Sequence, residues 1–160
     1  LSTINARVET IATAATYRTP WKRGQRCILP ATGFYEWQVR ESGKQPWYIH
    51  LADQPVFGLA GLWDASVAAD GGVLESCTII TTDASNSVKD IYNRMPLILK
   101  PEVYDEWLDP ENMAPGKIEG VLKKGYVKVL KRYPVSKLVN KVGNNSKECM
   151  EPLKESPLAS

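Results

Sequence analysis

The chain has 160 residues, 43% of them hydrophobic, enough for one compact domain that buries roughly two thirds of its unfolded surface and too few for two. Its 20 Lys and Arg against 18 Asp and Glu leave a net charge of +2, which excludes a disordered polyelectrolyte and gives no global attraction to nucleic acid. No apolar run approaches the roughly 18 residues of a membrane span, and the opening residues Leu1 to Asn5 lack the sections of a signal peptide, so the cytosol is the expected compartment. The three cysteines, Cys27, Cys77 and Cys149, are odd in number and free of CxxC spacing, and His50 is the single histidine. A disulfide framework, a histidine-based metal site and a Ser-His-Asp triad are therefore not expected.

In chain order, the first expected element is a helix around Glu9 to Arg18, against which the Thr-rich composition weighs. The following segment, Tyr17 to Arg26, interleaves four cations with the rings of Tyr17 and Trp21. A single-stranded nucleic-acid groove has this composition, and the alternative is that Trp21 anchors the preceding helix to the core. Cys27-Ile28-Leu29 and Phe34-Tyr35-Glu36-Trp37 read as strand segments hinged at Pro30 and Gly33. Trp47, Ile49 and Leu51 alternate with Tyr48 and His50 in a further strand. Val56 to Trp63 is a Gly-interrupted strand suited to close backbone approach, and Cys77-Thr78-Ile79-Ile80-Thr81 is another, following the turn Asp70-Gly71-Gly72. The clearest helix begins at Pro101, has an acidic first turn, runs through Leu108 and stops before Pro110. Charge is segregated. Residues 117–147 carry nine Lys/Arg and only Glu119, residues 101–116 carry five acids and no base, and residues 1–50 sum to +4. Either the fold gathers two basic stretches around an acidic middle, or 117–147 is a solvated face. One domain over residues 3–152 and a frayed tail at 153–160 complete the expected organisation.

Three strings place polar groups in apolar context where packing alone does not need them: INARVET at 4–10, GFYEW at 33–37 and IYNRMP at 91–96. In the first, Asn5 and Arg7 share one side of an extended segment, so an amide and a guanidinium can face one pocket; an Asn in a turn beside a surface Arg is the alternative. Glu36 lies between Tyr35 and Trp37 with Phe34 on its own face. Partial desolvation there would raise its pKa, as acid–base work requires, and the alternative is a solvent-facing residue of a sheet edge. Arg94, between Asn93 and Met95-Pro96, can aim its fork at a phosphate from a fixed loop or sit on the surface.

Taken in order, INARVET, RCILPATGFYEW at 26–37, KQPWYIHL at 44–51, GLAGLWD at 58–64, TIITTDAS at 78–85, IYNRMPLIL at 91–99 and YPVSKLVN at 133–140 resemble the SRAP family, the SOS-response-associated peptidase-type proteins that process abasic sites in single-stranded DNA. The likeness runs from Asn5 to about Pro152 in order and spacing. It implies an α+β fold with mainly antiparallel sheets forming a barrel-like core and a few short helices. It also implies a monomeric protein of the bacterial cytoplasm and nucleoid that takes abasic single-stranded DNA and needs no cofactor, metal or membrane. In the family a cysteine following the initiator Met becomes the N-terminus by self-cleavage, and its amine and thiol close a thiazolidine on the ring-opened deoxyribose. An amine near its pKa forms an imine and a neighbouring thiol traps it. By position, Asn5 corresponds to the family's Asn that orients the nucleophile and Glu36 to its acid–base carboxylate. Arg7 and Arg94 correspond to phosphate or active-site contacts and Thr81 to a strand-end hydroxyl; Trp21 joins these as a DNA-contact candidate. Tyr92 stands where the family usually has His, and a phenol, titrating near about 10, is a poor acid–base group at neutral pH, so impaired catalysis is expected. The family's opening Cys-Gly-Arg strand and its Trp-containing loop have no counterpart here. The expectation is a fragment of a longer product, marginal alone, whose alternatives in function are a non-catalytic single-strand binding module or an inactive remnant.

Overall fold

β structure dominates because the apolar and β-branched runs of the sequence find partners far along the chain. A computed structural model describes residues 4–112 and 115–153, without the side chains of 115–117 and 124. Within them lie strands β1 (Asn5–Arg7), β2 (Arg26–Ala31), β3 (Phe34–Arg40), β4 (Gly43–His50), β5 (Phe57–Val67), β6 (Val73–Asp83), β7 (Arg94–Pro96), β8 (Ile98–Leu99) and β9 (Lys131–Pro134). The helices are α1 (Arg18–Lys22), α2 (Tyr104–Leu108) and α3 (Pro115–Lys124), with 3-10 turns at Pro101–Val103, Lys137–Asn140 and Lys147–Met150.

The strands form two sheets. The larger has the order β1-β6-β5-β2, with β7 also paired to β6 and β8 to β5; the smaller is β3-β4-β9. All pairings are antiparallel except β1 with β6, where Asn5 lies opposite Ile79 and Arg7 opposite Thr81. The result is mostly β, with few short helices and a curled half-barrel sheet, as the resemblance implied.

The first half of the central strand β5, Phe57 to Leu62, is buried on both faces, which explains its continuous apolar run. Ala60 and Leu62 join Ile80, Leu97, Leu99, Trp107, Ile118 and Val121 in one core beneath the helices, and Phe57 and Leu59 join Ile49, Ile91, Met95 and Ile98 in a second core between the sheets. Trp107 is fully buried and donates its Nε1–H to the Cys27 carbonyl at 3.0 Å, tying α2 to β2. Arg26, 5% exposed, donates in return to the carbonyls of Trp107, Asp109 and Asn112, which satisfies the free acceptors at the end of α2. The passage from β2 to β3, where the chain leaves one sheet for the other, goes through Gly33. A Cβ there would fall 2.2 Å from the Tyr48 ring, so only glycine lets the strands part at this point.

Three expectations are corrected. Glu9 to Arg18 is not a helix but a run of turns, with Ala14 N–H bonded to the Thr10 carbonyl and Arg18 N–H to the Ala14 carbonyl; the four β-branched residues from Thr10 to Thr16 weigh against a helix there, and α1 begins only at Arg18. β2 runs through Pro30 instead of ending there, because a proline is tolerated in a strand whose single partner is β5. The basic stretch 117–147 is not a uniform solvated face, since α3 buries Ile118 and Val121 within it and β9 closes the second sheet. The helix expected at Pro101 to Leu108 forms as the first 3-10 turn followed directly by α2. Of the tail at 153–160, residues 154 onward lie outside the described residues.

Candidate active site

β1 is short, and its alternation decides which groups face the site. Ala6 points into the core at 0% exposure while Asn5 and Arg7 emerge together on the opposite side. Parallel pairing sets Arg7 beside Thr81 at the end of β6, and β7 returns along the other edge of β6 with Arg94 opposite Asp83. The turn between β6 and β7 carries Tyr92, which is half exposed. From the second sheet β3 brings Phe34, Tyr35 and Glu36. These residues, with Ile79, Met95 and Pro96, line an open cavity of about 340 Å³. Six residues singled out from the sequence, Asn5, Arg7, Glu36, Thr81, Tyr92 and Arg94, thus share one cavity although they come from four separate stretches of chain. Trp21 does not join them. It packs, partly buried, against the first core with its ring 6.4 Å from that of Trp107, which is the anchoring alternative.

Glu36 is half-buried, and desolvation raises its pKa above the usual carboxylate range; a hydrogen bond from the Trp37 backbone opposes the shift without cancelling it. Among the described residues no cation forms an ion pair with it. The carboxyl therefore holds its proton to higher pH than a free Glu, in a cavity that Asn5 and Arg7 also line. Arg7 is exposed and makes no hydrogen bond or ion pair among the described residues, which leaves its fork free for an anion.

Arg94 lines the cavity with its fork already engaged by the protein. Nη1 donates to Glu9 Oε1 at 2.9 Å and Asp83 Oδ1 at 2.7 Å, while Nη2 donates to Glu9 Oε2 at 2.9 Å and the Thr81 carbonyl at 2.8 Å. All four terminal hydrogens are engaged and Nε is buried without a partner, so the fork has nothing left to offer a phosphate in this arrangement. It works as a strut that ties β7 to β6 and to the segment following β1. The pair raises the Arg94 pKa and holds Glu9 below its usual value, chiefly through the hydrogen bonds between them. Sequence reasoning missed Glu9, although its position two residues beyond Arg7 in INARVET is a visible signal. It also missed a second brace, in which Asp90 on the Tyr92 turn pairs with Arg132 and accepts from Gln38 Nε2 through its carbonyl at 3.0 Å.

The family model described as SOS response associated peptidase (SRAP) matches residues 1–142. The chain belongs to the SRAP family. Among SRAP relatives, the abasic site processing protein YoqW of Bacillus subtilis (strain 168) is 40% identical over 149 residues, covering 92% of this chain and 66% of that protein. The abasic site processing protein YedK of Escherichia coli (strain K12) is 35% identical over 153 residues, covering 94% and 67%. HMCES of Gallus gallus, of the same description, is 34% identical over 171 residues, covering 94% and 50%. A crystal structure of a Bacteroides thetaiotaomicron protein superposes with a TM-score of 0.79 at 32% identity, covering 94% of this chain and 66% of that one. The chain thus spans about two thirds of the length of the bacterial SRAP relatives and half that of the vertebrate one. Among the described residues no group of three His, Cys, Asp or Glu is placed to hold a metal ion, and no helix is long and apolar enough to cross a membrane.

Proposed function

We propose that this SRAP domain binds single-stranded DNA at an abasic site and performs acid–base chemistry on the exposed sugar, as part of a protein that in complete form captures the sugar covalently. The observation that carries this reading is the convergence of Glu36 with Asn5 and Arg7, from two different sheets, on one open cavity. A carboxyl whose proton affinity is raised by burial is suited to pass a proton to the deoxyribose ring oxygen as the ring opens to the aldehyde. Condensation of an α-amine with that aldehyde then releases water and leaves an imine. Addition of a neighbouring thiol to the imine carbon closes a five-membered ring, its proton passing to nitrogen. The Asn5 amide orients the amine, Arg7 receives a flanking phosphate, Thr81 lines the sugar pocket, and the Tyr92 hydroxyl supplies a hydrogen bond where an imidazole would titrate.

None of Cys27, Cys77 and Cys149 lines the cavity, so in this reading the nucleophile comes from outside these 160 residues. The same observation favours the second reading, a single-strand binding module without covalent chemistry.

The test is to express the complete reading frame, incubate the protein with a single-stranded oligonucleotide bearing one abasic site, and follow a covalent adduct on a denaturing gel. Glu36→Gln is expected to slow adduct formation by about 100-fold, within the range of general acid catalysis. Tight binding with no adduct would establish the second reading, and an equal adduct rate in the variant would remove Glu36 from the chemistry.

A further inference from the structure

We propose that the face of the second sheet beyond Glu36 is the track along which the DNA flanking the damaged sugar leaves the cavity, with Arg40 as its phosphate contact. The proposal rests on the abasic-DNA reading of the cavity and adds to it a subsite.

Strand alternation places Gln38 and Arg40 on the same face of β3 as Glu36, and cross-strand pairing puts Trp47 of β4 directly opposite Glu36. Arg132 of β9, opposite Ile49, comes up on the other side of Trp47. The Arg40 guanidinium carbon lies 5.7 Å from the indole centroid and that of Arg132 lies 5.2 Å from it, so the ring is held between two cations. Gln38 fixes the arrangement: its Oε1 accepts from Trp47 Nε1 at 3.1 Å and from Arg40 Nε at 2.9 Å, while its Nε2 donates to the Asp90 carbonyl at 3.0 Å.

The two arginines are not equivalent. Arg132 is neutralised by Asp90, whereas Arg40 is exposed and both of its terminal nitrogens lack partners among the described residues. Its Nε is pinned, so the free end of the fork is oriented in advance, and little side-chain freedom remains to be lost when a phosphate binds. Four residues along an extended strand place Arg40 about 13 Å from Glu36, a separation that a few flanking nucleotides cross. Beside a cavity read as a sugar pocket, the anionic backbone of the same strand is the occupant that an unpaired guanidinium at this distance suits.

Three single-stranded oligonucleotides of equal length, carrying the abasic site at the 5′ end, the centre or the 3′ end, distinguish the outcomes. Binding to wild-type protein and to Arg40→Ala is measured by fluorescence anisotropy over a range of salt. For the central site, Arg40→Ala is expected to weaken binding about 5-fold and to reduce the slope of log K against log salt by about 0.7, one phosphate contact on a single strand. One of the two end-placed sites lacks nucleotides on the β3 side and is expected to bind both proteins equally. Arg40→Lys keeps the charge and is expected to restore the slope. An unchanged slope in Arg40→Ala, or an equal loss for all three oligonucleotides, would overturn the track while leaving the abasic reading intact. Failure of the wild type to bind any abasic oligonucleotide would instead remove both.

Discussion

Burial gives Glu36 a higher proton affinity in the folded chain than in the unfolded one, and linkage turns that into a statement about stability. A carboxyl whose folded pKa is raised contributes stability below its unfolded pKa, about 4.3 for Glu, and that contribution is lost as pH rises through the folded value. Glu36→Gln, which cannot ionise, is therefore expected to melt at a higher temperature than wild type at pH 8 and at nearly the same temperature at pH 4. Thermal unfolding followed by circular dichroism at the two pH values checks this, and an equal or lower melting temperature at pH 8 would show that the carboxylate is not desolvated. Glu9 carries the opposite sign: its lowered pKa stabilises above the unfolded value and ceases to do so as pH falls through the folded one. The half-burial of Glu36 was one of two readings its neighbours Phe34, Tyr35 and Trp37 allowed in the sequence, and the SRAP resemblance pointed to that one. The closed fork of Arg94 was not legible there, because its partner Glu9 is 85 residues away and nothing local to either residue reveals the pair.

At the level of elements, the strands of the middle of the chain were readable from alternation and from their turn residues, and β3 to β6 lie where those signals fall. Among the short elements, the 3-10 turn at Pro101 and α2 were readable from their proline and acidic first turn, and others were not. Among its described side chains α3 buries Ile118 and Val121 and packs Leu122 against the same core, within a Lys-rich run too brief for a helical period to emerge, and its position depends on the core around Trp107. β1 has three residues, and although its extended form was readable from Asn5 and Arg7, its parallel pairing with β6 is a tertiary fact with no local signature. The element junction at Gly33 matters more than its length suggests, since it sets the approach of β3, and hence of Glu36, to the larger sheet. Gly33→Ala would drive a methyl into the Tyr48 ring and is expected to cost about 1–3 kcal/mol, the usual penalty of overpacking. Denaturant unfolding of the variant measures it; a cost below a few tenths of a kcal/mol would mean that β2 and β3 part without that contact.

Across the whole molecule, the cavity is a product of two sheets meeting. The larger supplies Asn5, Arg7, Thr81 and Arg94, the smaller supplies Glu36, and the turn bearing Tyr92 is braced to the smaller sheet by Gln38 and Arg132. INARVET and TIITTDAS, about 70 residues apart, already meet within the larger sheet, and GFYEW reaches them only where the two sheets meet, which is why their order and spacing, and not any single string, carried the resemblance to the SRAP family. A double-mutant cycle on the complete protein addresses the joint action of the two sheets most directly. Rates of covalent adduct formation with an abasic single-stranded oligonucleotide are compared for wild type, Asn5→Ala, Glu36→Gln and the double variant. If both side chains serve one sugar in one cavity, the double variant should be little slower than the slower single variant. Rate losses that simply multiply would mean that the amide and the carboxyl act independently.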